Sequence, residues 1–377
     1  MEKCLKYWVW LSSVPTIGPV KFKKLIEHFK TPLNVWKAGL SELGTLKFLS
    51  RINIEQLLTK TYREEADKNY EDAVKSGIDI VTIEDKEYPE YLNAIYDPPM
   101  VIYKRGNLKT NEKCIGIVGS RKPTTYGLSI SKTIARELSN RGITVVSGLA
   151  RGIDSYAHTG VVEGNGRTIA VLGSGLNNIY PRENTGLAEK ITQNGVLISE
   201  YIPKTPPLPS NFPARNRIIS GMSHGILVIE AGQKSGSLIT ADFALEQGRE
   251  VFAIPGNLNS SKSMGTNKLI KEGAKLVTSI QDILEEIKCF DCTGKDNVVN
   301  KMKESGESKK NEILFGLESD EKRVVEILME ESLHIDSIAN MLGFSVHFTS
   351  SVLTMLELKG IIEQYPGKIF KLRQQRM

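Results

Sequence analysis

A chain of 377 residues is too long for one ordinary core, so two or three domains are expected. With 40% hydrophobic and 25% charged residues it has the composition of a soluble globular protein. No run reaches the roughly 18 apolar residues of a membrane span, and a formal charge of +5 permits a nucleic-acid or phosphorylated partner without requiring one.

The first segment, residues 1–75, opens with Lys3 and Lys6 ahead of an apolar run from Tyr7 to Leu11. A signal peptide begins in the same way, but Ser12 and Ser13 interrupt this run and no small-residue cleavage site follows, so it reads as a first helix. Apolar residues then recur at helical spacing. V-P-T-I-G-P-V at 14–20, followed by Phe22, Leu25, Ile26 and Phe29, has the form of a helix-hairpin-helix (or SAM-like) domain, whose turn can offer backbone N–H groups to phosphate. Eight Lys/Arg against three Asp/Glu between residues 21 and 60 agree with that. A plain helical bundle with a solvated basic face explains the pattern equally well.

The second segment, 76–290, alternates strand-like and helix-like stretches. Strands are expected at 114–118, 143–147, 168–172, 196–199, 225–229, 250–254 and 275–277, with 78–83 and 101–103 as edge strands. Most are short Val/Ile-rich runs, as in strands buried on both faces. Helices at 129–141, 185–194 and 238–248 between them call for a mostly parallel, Rossmann-like α/β sheet. A polar linker is expected over 291–318. Residues 319–377 read as three helices and a two-stranded wing turning at Pro366-Gly367, a winged helix. Its second and third helices carry only Lys359 and no arginine for base readout, so DNA and protein contact both stay open. Cys289 and Cys292 form a lone CxxC, which reads as reduced thiols in a cytoplasmic chain rather than a zinc site.

Chemistry concentrates where strands end. G-I-V-G-S-R at 116–121 follows the first parallel strand, and its glycines would let the backbone of Gly119 and Ser120 approach an anion beside Arg121. The dinucleotide fingerprint is absent, and Ser147-Gly148 stands where an acid would hold a ribose. Two further Gly-rich turns, 147–154 and 171–184, lie on the edge where open α/β sheets bind ligands. The second places Arg182 on the rim; in the first, Asp154 reads as a helix N-cap or a catalytic acid. N-F-P-A-R-N-R at 211–217 sets Phe212 to stack on a base and Arg215, Asn216 and Arg217 in the first turns of a helix starting at Pro213. Cations are disfavoured there unless they face an anion. The bland alternative packs Phe212 in the core and pairs one arginine internally. Lys234 in A-G-Q-K-S-G-S and Lys262 in S-S-K-S-M-G complete the set, and residues 204–275 hold nine Lys/Arg against five Asp/Glu. His158 and His224 read as structural. Glu200 and Glu230 are the best acid candidates, though strand-end carboxylates bonded to backbone N–H groups explain them as well.

Together these motifs resemble the DprA/Smf family. The matching runs are G-S-R at 119–121, S-G-L-A-R-G-I-D at 147–154, A-V-L-G-S-G-L-N-N-I-Y-P-R-E-N at 170–184, F-P-A-R-N-R-I-I-S-G at 212–221, S-G-S-L-I-T-A at 235–241 and E-Q-G-R-E-V-F-A-I-P-G at 246–256. The resemblance implies a recombination mediator that binds incoming single-stranded DNA during natural transformation, dimerises through the Rossmann-like domain and helps load RecA. It assigns DNA contact to Arg121, Arg182 (where the family often has lysine), Phe212, Arg215 and Arg217. The expectation is therefore a non-enzymatic protein without cofactor or metal. A nucleotide N-glycosidase (phosphoribohydrolase-type) and a winged-helix duplex regulator are the alternatives. For the first, P-G-G-x-G-T-x-x-E is missing and A-G-Q-K-S-G-S stands in its place.

Overall fold

The computed structural model describes residues 4–287, 319–328, 332–359, 361–365 and 368–372. The Cys289/Cys292 pair, the polar linker and the Pro366-Gly367 turn lie outside the described residues. Two compact units divide the chain, Met1–Asp291 and Cys292–Met377.

Nine strands form the sheet of the first unit: β1 (Asp79–Thr82), β2 (Val101–Gly106), β3 (Cys114–Val118), β4 (Thr144–Ser147), β5 (Thr168–Val171), β6 (Val196–Ser199), β7 (Gly225–Val228), β8 (Glu250–Ala253) and β9 (Lys275–Leu276). Their order is β1-β2-β6-β5-β4-β3-β7-β8-β9. From β6 to β9 the neighbours are parallel, while β2 pairs antiparallel with both β1 and β6. Each expected strand is present within a few residues of its expected ends. β3 to β7 are buried at every position because helices cover both faces. Alternation assigns Val146, Ile169, Val171 and Ile198 to one core, and Val145, Ala170 and Leu197 to the other side. Helices Asn211–Gly221 and Gly236–Glu246 cover the first side; Thr125–Asn140 and Ile153–Glu163 cover the second. Chain order runs outward from β3 through β4, β5 and β6, then returns to β7 beside β3. The sheet therefore has its topological switch between β3 and β7.

The N-terminal helices do not form a core of their own. Trp8, Trp10, Leu11, Phe22 and Leu25 share one cluster with Tyr103, Leu172 and Leu197 of the sheet. The boundary expected at residue 75 is thus a change of secondary structure within one packed unit. Burying one large side chain of this kind stabilises by about 1.5–3 kcal/mol, so this shared face is a substantial part of the unit's stability. Helices Leu5–Ser13 and Pro19–Phe29 flank the expected hairpin turn, with Pro19 in the first turn of the second helix. The turn is already engaged: Thr16 donates both its N–H (3.2 Å) and its hydroxyl (2.8 Å) to Gln56 Oε1, and Lys21 donates to Asn53 Oδ1 at 2.9 Å.

The second unit packs helices Ser319–Leu328, Ile335–Leu342 and Val346–Leu358 around Val324, Ile338, Leu353, Leu356 and Phe370. Its sheet has three strands rather than the expected two: Leu333–His334 joins the hairpin Ile362–Tyr365/Ile369–Leu372. Lys359 is held in place by Glu321 at 2.6 Å.

Candidate nucleic-acid interface

A cleft of about 590 Å³ opens at the switch point. The turn after β3 (Gly119, Ser120, Arg121), the turn and helix start after β4 (Ala150, Asp154) and the turn and helix start after β7 (Ser235 to Ser237) form its floor and one end. The Asn211–Gly221 helix supplies the other wall with Phe212, Arg215, Asn216 and Ile219. Those four sit at helical spacing on one face.

The mouth is built from Arg121, Phe212 and Tyr180. The exposed Arg121 guanidinium lies 5.3 Å from the centre of the half-buried Phe212 ring. Tyr180 also lies against that ring, at 5.7 Å and 47°. Exposed Arg182 follows at once in the short helical turn Arg182–Asn184. Lys234 is exposed in the turn that ends at Ser235 and Gly236. Among the described residues no carboxylate pairs with Arg121, Arg182 or Lys234.

The floor is bonded internally. Arg215, 3% exposed, donates through Nη1 to Gly148 O at 2.8 Å and to Val171 O, joining the ends of β4 and β5. Burial pushes its guanidinium down to about 10; nearby Asp154 opposes that shift and Arg121 adds to it. Two cations thus converge on one cleft, which favours an anion there. Buried Asp154 accepts the Gly148 N–H at 3.2 Å; burial raises its pKa and Arg215 lowers it. It sits in the first turn of Ile153–Glu163 and is not the N-cap, which is Gly152 at φ 78°. Glu230 accepts the Thr124 N–H at 2.9 Å and the Thr124 hydroxyl, buckling the Thr125–Asn140 helix to the end of β7. This is the strand-end carboxylate of the second reading, not an acid free in the cleft. Glu200 is likewise paired, with Arg217. His158 is buried against the Thr168 hydroxyl at 2.8 Å and is pushed down to about 3 by burial and by Arg215.

Several expected site residues are placed elsewhere. Arg217, 6% exposed, pairs with Asp97 (3.0 Å) and Glu200 (2.5 Å) on the side of the helix away from the cleft. The helical period contains the signal, since two residues turn about 200° and Arg215 and Arg217 cannot share a face. The helix begins at Asn211, two residues before Pro213. The Ser120 N–H is donated to Glu230 O at 2.7 Å and is not free for an anion. Gly119 lies in the cleft, yet a Cβ there would come within 2.7 Å of Ile153, so its bareness first serves helix packing. Asn216 lines the cleft and donates to Gly236 O at 3.3 Å. Lys262 lies on the loop after β8, between Ser260 and Ser263 of a second depression, and not in the cleft wall. Tyr180 and Arg151 belong beside Phe212 and were not singled out in the sequence.

A Rossmann-like sheet with a cleft at its switch point, lined by exposed Arg121 and buried Arg215, in a chain that also carries a winged helix, defines the class of protein. The chain belongs to the DNA recombination-mediator protein A family, whose model matches residues 79–288; a DprA winged helix domain matches 309–368. It is 42% identical over 264 residues to DNA processing protein DprA of Bacillus subtilis (strain 168), covering 68% of this chain and 89% of that one. The solved structure of DNA processing protein A from Streptococcus pneumoniae superimposes with a TM-score of 0.62 at 36% identity, over 76% of this chain and 99% of that one. That of Helicobacter pylori, described for its single-stranded DNA binding mode, gives 0.50 at 32% identity, over 55% and 94%.

Proposed function

We propose that this chain is a single-stranded-DNA-binding recombination mediator. An extended strand lies across the switch-point cleft, with Arg121, Arg182 and Lys234 neutralising phosphates and Phe212 stacking on a base. The observation that carries this is exposed Arg121 beside the half-buried Phe212 ring at the cleft, with Arg121 in no ion pair among the described residues. Aromatic faces beside arginine bind bases of any sequence while the cations track the backbone. Arg215 contributes its charge from the floor rather than a direct contact.

Binding rather than catalysis is the mode of action. Supporting that, Asp154, Glu200 and Glu230 are engaged by Gly148, Arg217 and Thr124. Protection of the incoming strand, loading of RecA, dimerisation through the Rossmann-like domain and a cytoplasmic location belong to the same proposal. Among the described residues no helix is long and apolar enough to cross a membrane.

The test is affinity for single-stranded and duplex oligonucleotides, titrated with salt. Single strands should bind more tightly. Arg121→Ala should lower the slope of log K against log salt by about 0.7, the share of one phosphate contact. Equal affinity for both forms, or an unchanged slope, would overturn the assignment.

A further inference from the structure

Beside the cleft, between Arg121, Arg151, Tyr180 and Phe212, lies a small recess that continues the same mouth. Arg151 differs from the other cations there because it has a partner. Its Nε and Nη2 donate to the two oxygens of Glu183 at 2.8 and 2.9 Å. The hydrogen bond to Glu183 raises the pKa of Arg151, and the same bond lowers that of Glu183, so both are charged. Glu183 directly follows Arg182 in the chain. On this face Arg151 is bonded to a carboxylate, while exposed Arg121 and Arg182 pair with none among the described residues.

An ion pair with side chains 53% and 56% exposed is held weakly, because water screens it and long side chains lose freedom in forming it. A phosphodiester presents to a guanidinium the same two-oxygen edge that Glu183 presents. We propose that Arg151 is a further phosphate-binding residue, occupied by Glu183 in the free protein and exchanged onto a backbone phosphate when a single strand enters. The strand must displace a carboxylate to gain this contact, and the displaced Glu183 remains nearby to take Arg151 back. Glu183 thereby keeps affinity below what the cations alone would give, which suits a protein that must surrender its strand. This inference rests on the cleft being a single-strand site.

The test uses the full chain and oligothymidylate, with affinity measured across a salt series. Glu183→Gln should bind several-fold more tightly at low salt. Within the Glu183→Gln background, Arg151→Gln should reduce the salt slope by about 0.7, and Arg151→Lys should preserve it. Working in that background removes the bare carboxylate that Arg151 variants would otherwise leave. The inference is wrong if Glu183→Gln fails to tighten binding, or if Arg151→Gln leaves the slope unchanged while Arg121→Ala still lowers it. If neither arginine affects the slope, the single-strand cleft is itself wrong and the exchange falls with it.

Discussion

The mouth and the floor of the cleft use the same residue types for opposite ends. At the mouth and on the turns beside it, Arg121, Arg182 and Lys234 are exposed, and none pairs with a carboxylate among the described residues. On the floor, Arg215, Asp154 and Glu230 are buried and bound to the protein's own backbone. Burial decides the difference. A cation in water gives up little when it meets phosphate, whereas a buried one has already exchanged its water for carbonyl oxygens. Damage to the floor should therefore appear as lost stability, and damage to the mouth as lost affinity with the fold intact.

Arg215→Ala is the most severe way to break that contrast. It leaves the Gly148 and Val171 carbonyls without their Arg215 donor and Asp154 without the cation that most favours its charged form. About 3–5 kcal/mol of stability should be lost in denaturant unfolding, the usual consequence of removing one partner from a buried charge cluster. A loss below 1 kcal/mol would mean that the floor is not the staple described here. His158 probes the floor through pH. Its folded pKa of about 3 lies below the unfolded 6.5, so the unfolded chain takes up a proton that the native state refuses. Its contribution to stability is complete above pH 6.5 and declines at up to about 1.4 kcal/mol per pH unit as pH falls towards 3. His158→Gln should flatten the acid limb of a stability–pH curve by that slope, and an unchanged limb would refute the buried neutral histidine. Phe212→Ala belongs to the mouth. Single-strand affinity should fall by about 1–3 kcal/mol, one stacked base, with the unfolding midpoint shifting far less than for Arg215→Ala.

Strands and the parallel sheet were legible because their signal is local: short Val/Ile runs separated by helical periods. The mouth was legible for a similar reason, since exposed Arg121 and Arg182 sit in turns that announce themselves by Gly and Pro. The floor was not, because its partners are distant in the chain. Gly148 looks like room for a ligand, yet a Cβ there would lie 2.4 Å from the guanidinium of Arg215, 67 residues away. Gly173 and Gly127 likewise make room for the Phe212 ring and the Glu230 carboxylate. A glycine records that something comes close without saying what. The second arginine of the F-P-A-R-N-R run is a different kind of miss. Its neighbour Arg215 and the helical period together exclude it from the cleft, and only its pairing with Glu200 and Asp97 required the fold.

The core shared by the N-terminal helices and the sheet has a consequence for how the chain is made. Trp8, Trp10 and Phe22 leave the ribosome first, but Leu172 and Leu197, which complete their cluster, follow well over a hundred residues later. At ordinary rates of synthesis that interval is on the order of ten seconds. For that time the N-terminal helices have one another but lack the sheet residues that complete their cluster. It is the interval in which a chaperone would find this chain.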